Sequence, residues 1–289
     1  MARATVLVTG ATGLLGRAVA DQFRMRGWNA KGLGYSRADG VDVLKVDLND
    51  EAALAKALDD VKCGPEVSDK VDKDPEGAKA LNVAATESLA SLAARRKIFL
   101  IYISTDYVFP GTPGDAPYEA FSNPRPTNLY GETKLDGERA VLHTFAQLGK
   151  QGSAVVLRVP VLYESRRDAV GECRQRAHGR RVEGTDRGRQ DVAIKYLSAD
   201  SSRDNLPQIL QFSSEDKVTK YEICQRLGDI MGLSTAGIEP DTQGNDPNAA
   251  VQRPYDCHLS TMGLQELGID VSTINFTDWW RREVGAFRK

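Results

Sequence analysis

Near the start of the chain a short, partly β-branched run, Thr5-Val6-Leu7-Val8-Thr9, stops at a glycine. It is followed at once by Gly10-Ala-Thr-Gly13-Leu-Leu-Gly16 and a helical pattern through Val19 and Phe23. A buried parallel strand reads as a short apolar run of this kind. The glycines between strand and helix each have a physical job. Gly10 permits the tight turn, Gly13 lets backbone amides approach a pyrophosphate, and Gly16 lets the helix lie close on the strand. The helix N-terminus adds amide donors and a partial positive charge. Gly10, Thr12, Gly13, Leu14, Leu15 and Gly16 are therefore the candidate cradle for a dinucleotide. The pattern predicts an α/β fold built on a doubly wound parallel sheet.

The next strand, Ala30 to Gly34, ends in Tyr35-Ser36-Arg37, where an NAD site would place an acidic residue for the ribose 2′-hydroxyl. A hydroxyl and a guanidinium suit the 2′-phosphate of NADP instead, so Ser36 and Arg37 are candidate ligands and NADP is the expected cofactor. A third strand, Val43 to Val46, leads into Asp47-Leu48. These two residues sit where such a fold can hold the adenine. Asp47 can equally cap the helix expected over 49–58, and both readings stand at this point.

Further along, Ile98-Phe-Leu-Ile-Tyr-Ile-Ser104 is another buried strand, ending in Ser104-Thr105-Asp106-Tyr107-Val108-Phe109. After a loop over 124–128, Leu129-Tyr130-Gly131-Glu132-Thr133-Lys134 opens a helix. Tyr130 and Lys134 share one face at a spacing of four. An ammonium beside a phenol favours the phenolate and draws the tyrosine pKa down from about 10, which suits proton transfer near neutral pH. Thr105 is placed to hydrogen-bond a substrate carbonyl, and Lys134 to hold the nicotinamide ribose. Thr105, Tyr130 and Lys134 are the candidate catalytic residues. His143, His178 and His258 have no metal-ligand spacing, so no metal is expected.

These blocks resemble a known family. Val6–Gly16, Leu100–Thr112, Tyr118, Pro126–Leu142, Leu157 through Tyr163, Gln252-Arg253-Pro254 and Leu259 through Leu264 are similar to dTDP-4-dehydrorhamnose reductases. They are more similar still to the regulatory beta subunits of methionine adenosyltransferase, which share that fold. The resemblance implies a Rossmann fold of the extended short-chain dehydrogenase/reductase type with NADP bound. It implies residues 1–163 as the NADP-binding domain and residues 164–289 as a smaller C-terminal substrate or partner domain. In the reductase, Thr105, Tyr130 and Lys134 would serve reduction of a 4-keto sugar. In the beta subunit the nucleotide is bound, and the protein serves S-adenosylmethionine synthesis as a partner of the catalytic subunit. The expected function is the second, a non-catalytic regulatory subunit, with the sugar-nucleotide reductase as the alternative. Whether any substrate is turned over stays open at this level.

Two stretches depart from the family pattern. No strand is expected in Val61-Lys-Cys-Gly-Pro-Glu-Val-Ser-Asp-Lys-Val-Asp-Lys-Asp-Pro75, although the helix over 75–94, with Asn82 at a family-like position, is retained. The fourth strand is thus expected to be missing near 61–74. Residues 164–190 hold eight arginines and no Leu, Ile, Phe or Met. That composition reads as a solvated, disordered loop or an aberrant segment; without interleaved aromatics it does not read as a nucleic-acid surface.

Composition narrows the remaining classes. A formal net charge of −2 offers no basic surface for nucleic acid or an acidic membrane. No run reaches the ~18 apolar residues of a spanning helix. The four cysteines are widely spaced, and Met1-Ala-Arg-Ala4 leads straight into the first strand. Reduced thiols, no targeting segment and a cytoplasmic location are expected. Thr219-Lys-Tyr-Glu222 predicts a capping box ahead of an apolar stripe from Ile223 to Met231. At the C-terminus, aromatics alternate with bases from Trp279 to Lys289. Residues 279–289 are either a helix docked on its own domain or a tail for the catalytic subunit.

Overall fold

A computed structural model describes residues 4–38, 40, 42–59, 61, 63–66, 75–160, 192, 195–197, 205–240 and 252–285. Seven parallel strands form one sheet in the order β3-β2-β1-β4-β5-β6-β7. They are β1 (Thr5–Val8), β2 (Asn29–Gly34), β3 (Val43–Lys45), β4 (Cys63–Glu66), β5 (Phe99–Thr105), β6 (Ala154–Val159) and β7 (Ile209–Gln211). The order turns back on itself between β1 and β4, so the chain winds outward in both directions from that point. In open parallel sheets this switch point is where ligands bind. The arginine-rich stretch 164–190 and Phe287 lie outside the described residues.

The sheet is covered on both faces, as a parallel sheet requires. Alternation along β5 divides it cleanly. Phe99, Ile101 and Ile103 face a core made with Leu15, Val19 and Phe23 of helix α1 (Leu14–Met25) and with Val192, Tyr196 and Leu264. Leu100 and Tyr102 face the opposite core. That core receives Leu54 from α2 (Glu51–Ala57), Leu89 and Ala90 from α4 (Thr86–Arg95), and Val141 and Phe145 from α5 (Leu129–Gln147). Between α3 (Pro75–Lys79) and α4 the helix widens to a π turn over Ala80–Ala85. Thr86 Oγ1 there donates to the Leu81 carbonyl five residues back, at 3.4 Å.

One expectation is corrected and one open reading is closed. The fourth strand is present: Cys63–Glu66 pairs with β5 from Cys63↔Phe99 to Glu66↔Tyr102 and touches β1 at Val6↔Cys63. Cys-Gly-Pro-Glu carries no strand signal because glycine and proline are poor strand formers and Pro65 has no N–H to give. What makes it a strand is the slot between β1 and β5, whose facing backbone groups need partners. Beyond residue 163 the sheet gains one further strand, β7 at 209–211, beside β6. Finally, Asp47 is not a helix cap. Asp50 caps α2 by accepting from Ala53 N at 3.0 Å, while the Asp47 carboxylate accepts from Asn49 N at 2.9 Å.

The C-terminal part forms a small core of its own. The capping box at Thr219 and Glu222 is formed as expected and starts α6 (Lys220–Met231). After α7 (Met262–Glu266), helix α8 (Phe276–Glu283) buries Phe276, Trp279 and Trp280 against Ile223, Leu227 and Ile230 of α6. Trp279 and Trp280 therefore hold their own domain together, which settles that part of the 279–289 segment as a docked helix.

One buried ion pair crosses these layers. Arg158 of β6 meets Glu138 of α5 through two bonds, Nε to Oε1 at 2.9 Å and Nη2 to Oε2 at 2.7 Å, with both side chains at most 3% exposed. Its Nη1 also donates to Gln211 Oε1 of β7 at 3.2 Å, and Gln211 Nε2 donates to the Tyr118 carbonyl at 2.7 Å. Removing one partner strands the other as a buried charge. Arg158→Met is expected to destabilise the fold by roughly 3–5 kcal/mol in chemical denaturation. Arg158→Met combined with Glu138→Leu should recover most of that loss. A double variant no more stable than the single one would show that the pair does more than neutralise itself.

Candidate functional site

The nucleotide cradle is built by backbone geometry. Gly10 sits at φ 60°, a conformation that side chains disfavour, and turns the chain from β1 toward α1. A Cβ on Gly16 would lie 2.3 Å from the Gly10 carbonyl oxygen, so only glycine lets α1 approach the turn this closely. The loop is tied by Gly13 N donating to Gly10 O at 2.8 Å and Ala11 N donating to Leu33 O at 2.9 Å. Helix α1 starts at Leu14 with Gly13 as its N-cap, no side-chain cap and no acidic residue in its first turn. Its first amides and its positive end therefore fit an anionic pyrophosphate.

Beside the cradle, β2 ends at Gly34, where a Cβ would meet Thr12 Cγ2 at 2.9 Å. Ser36 and Arg37 follow on an exposed turn, so the structure brings the glycine loop and the two expected 2′-phosphate ligands to the same end of the sheet. Asp47 and Leu48 follow β3 at that end, with Leu48 partly buried against the core. The residues present fit a dinucleotide: a tight glycine turn, an uncapped helix start, and a hydroxyl with a guanidinium where an acidic residue would disfavour a phosphate.

The second half of the site is formed where β5 meets the start of α5. Asn128 caps α5, its Oδ1 accepting from Gly131 N at 3.0 Å, and its side-chain amide donates to the Gln252 carbonyl at 2.9 Å. A Cβ on Gly131 would lie 2.1 Å from the Tyr107 carbonyl, so this glycine sets how closely α5 rests on the loop after β5. As a result the Tyr130 ring packs edge-on to Tyr107, with centroids 5.9 Å apart. One turn on, Lys134 is buried, with its Nζ 4.2 Å from the centre of the Tyr102 ring. Thr133 Oγ1 donates to the Tyr130 carbonyl at 3.1 Å and accepts from Asn82 Nδ2 at 3.1 Å. Asn82 reaches α5 from the π turn, a place where such turns recur at functional sites. Tyr130 and Lys134 thus lie on the opening turns of α5, which rests on Tyr107, two residues beyond Thr105.

Sequence reading passed over Asp106. This carboxyl is buried directly beside Thr105, whose Oγ1 donates to Asp106 Oδ1 at 2.9 Å and accepts from Tyr107 N at 3.2 Å. Burial pushes the Asp106 pKa up to about 7, against the lesser, opposing effect of the Thr105 and backbone hydrogen bonds. While Asp106 is ionised, the single proton of the Thr105 hydroxyl is committed to it and is turned away from a substrate carbonyl. Only the position of an acidic residue next to Thr105 could have signalled this. Among the described residues no group of His, Cys, Asp or Glu is arranged to hold a metal, and no helix is long and apolar enough to cross a membrane.

The RmlD substrate binding domain matches residues 4–286. The methionine adenosyltransferase 2 subunit beta of Xenopus laevis is 38% identical over 302 aligned positions, covering 92% of this chain and 83% of that protein. A dTDP-4-dehydrorhamnose reductase of Mycolicibacterium smegmatis is 37% identical over 142 positions, 47% of this chain and 41% of that protein. Among solved structures, a dTDP-4-dehydrorhamnose reductase from Bacillus anthracis in complex with NADP superposes with a TM-score of 0.67 at 19% identity. It covers 93% of each chain and shows the shared fold.

The raised pKa of Asp106 makes stability depend on pH. The folded protein holds a proton on Asp106 between the ordinary 3.8 and about 7, where the unfolded chain releases it, so stability falls as pH rises through that window. Asp106→Asn carries no such proton. The wild-type thermal midpoint is expected to drop relative to that of Asp106→Asn between about pH 4 and pH 7. A gap that stays constant across the window would mean that Asp106 is not held neutral.

Proposed function

This chain belongs to the RmlD substrate binding domain family, and from that premise we propose that it is an NADP-binding, non-catalytic regulatory subunit of methionine adenosyltransferase. The observation that carries this reading is the extent of similarity. Likeness to the beta subunit runs through 92% of the chain, whereas likeness to the M. smegmatis reductase stops at 47%.

In this reading the backbone around Gly10, Thr12, Gly13, Leu14, Leu15 and Gly16 holds the pyrophosphate. Ser36 and Arg37 take the 2′-phosphate, and Asp47 and Leu48 border the adenine. Tyr130 and Lys134 hold the nicotinamide ribose. NADP in such a site can supply a hydride, but here its role is to brace the two halves of the sheet's switch point. The chain works in the cytoplasm, where its partner makes S-adenosylmethionine. A second reading, an NADPH-dependent reductase of 4-keto sugar nucleotides, is favoured by Tyr130 and Lys134 on the opening turns of α5, which packs on Tyr107 just after Thr105.

The two readings part in one pair of assays. The purified chain is expected to co-elute with the catalytic subunit of methionine adenosyltransferase and to show no NADPH oxidation with dTDP-4-keto-6-deoxyglucose. Steady turnover that vanishes in Tyr130→Phe would establish the reductase instead.

For the partner contact, the portion of the 279–289 segment beyond helix α8 remains the candidate, since Trp279 and Trp280 are engaged internally. Deleting 285–289 is expected to abolish binding to the catalytic subunit with little change in thermal midpoint. By contrast, Trp280→Ala should lower stability by roughly 3–5 kcal/mol. A deletion that leaves partner binding intact rejects the tail as the contact.

A further inference from the structure

One wall of the nucleotide site holds a charged side chain that the Ser36–Arg37 pattern does not include. Between α1 and the turn after β2 lies a cavity of about 370 Å³ whose wall includes Ala11, Thr12, Arg17, Arg37 and Asp42. Two guanidiniums from different elements converge on it, Arg17 from the first turn of α1 and Arg37 from beyond β2. A third, Arg24, is paired with Asp21 at 2.8 Å on the same wall. Set against Asp42, Arg37 alone leaves the remaining wall without net charge. With Arg17 it is net positive, which is what a phosphate dianion needs.

Arg17 also differs from Arg37 in how it is held. It is half-buried, and its Nη1 donates to the Thr12 carbonyl at 2.6 Å, which sets the plane of the guanidinium beside the glycine loop. Arg37 stands exposed on its turn. An arginine already ordered loses less rotamer freedom when it takes a ligand, so its contacts add more to affinity.

We propose that Arg17 is a second guanidinium for the ribose 2′-phosphate of NADP and the main source of the preference for NADP over NAD. The inference rests on the cofactor reading above and deepens it. The Thr12 carbonyl couples the clamp to the pyrophosphate loop, so both phosphate sites are organised by the first turn of one helix.

Calorimetric Kd values for NADPH and NADH in wild type, Arg17→Met and Arg37→Met test it. Arg17→Met keeps most of the apolar stem and removes the fork. The expected result is that the NADPH-over-NADH ratio narrows about tenfold (~1.4 kcal/mol) in Arg17→Met, more than in Arg37→Met, with NADH affinity unchanged. A ratio moved less than about fivefold, or both affinities falling together, overturns it, because Arg17 then acts only by bracing the loop. Should Arg17→Met fail to fold, Arg17→Gln is read by the same ratio. A wild-type chain that binds neither nucleotide overturns the cofactor reading and this inference with it. A preference that survives loss of Arg17 overturns this inference alone.

Discussion

The pairing of Arg158 with Glu138 is the contact on which the placement of the site helix depends. It fastens β6 to the middle of α5, two turns beyond Tyr130 and one beyond Lys134, by a bidentate bond shielded from water. The same guanidinium reaches Gln211 on β7 and lies 5.0 Å from the Phe109 ring. Phe109 in turn stacks on Tyr118 at 4.4 Å. One buried cation therefore joins the last two strands, the helix that carries Tyr130 and Lys134, and the loop after Thr105. Such a pair costs desolvation and adds little net stability. What it contributes is position, since few arrangements of these elements satisfy all the bonds at once.

Around that frame the two halves of the site are made in different ways. The nucleotide half is mostly backbone: a left-handed glycine, a close helix and an uncapped helix start. The other half is mostly side chains brought in from distant segments, with Asn82, Asn128 and Gln252 tying α5 to the π turn and to the chain near 252. Asp106 sits at the join. Its carboxyl meets the Thr105 hydroxyl at 2.9 Å, so the ionisation state of Asp106 sets where that hydroxyl's proton points.

The first half of the site was legible in the sequence because its determinants are consecutive. Thr5 to Gly16 specifies a strand, a turn and a helix within one stretch, and Tyr130 and Lys134 declare themselves by a spacing of four. The capping box at Thr219 and Glu222 is local for the same reason. β4 was not legible. Cys63–Glu66 has the wrong residues for a strand and becomes one because β1 and β5 leave a slot with unpaired backbone groups on both sides. Trp279 and Trp280 were ambiguous for a related reason. A periodic aromatic face reads alike whether it meets its own domain or another chain, and only the presence of Ile223, Leu227 and Ile230 opposite it decides.

The sequence by itself determined the α/β class, the dinucleotide cradle, the choice of a hydroxyl and a guanidinium over a carboxylate at Ser36 and Arg37, and the residues of the Tyr130 helix. Each of these is set by neighbours within a few positions, where chain connectivity already fixes the geometry. The tertiary structure decided the presence of β4, the convergence of Arg17 with Arg37, the burial of Asp106 and the burial of Arg158 with Glu138. Each of those joins groups far apart in the chain or depends on how far water is excluded. Linear order carries neither distance nor dielectric, and both appear only when the sheet and its helices close around them.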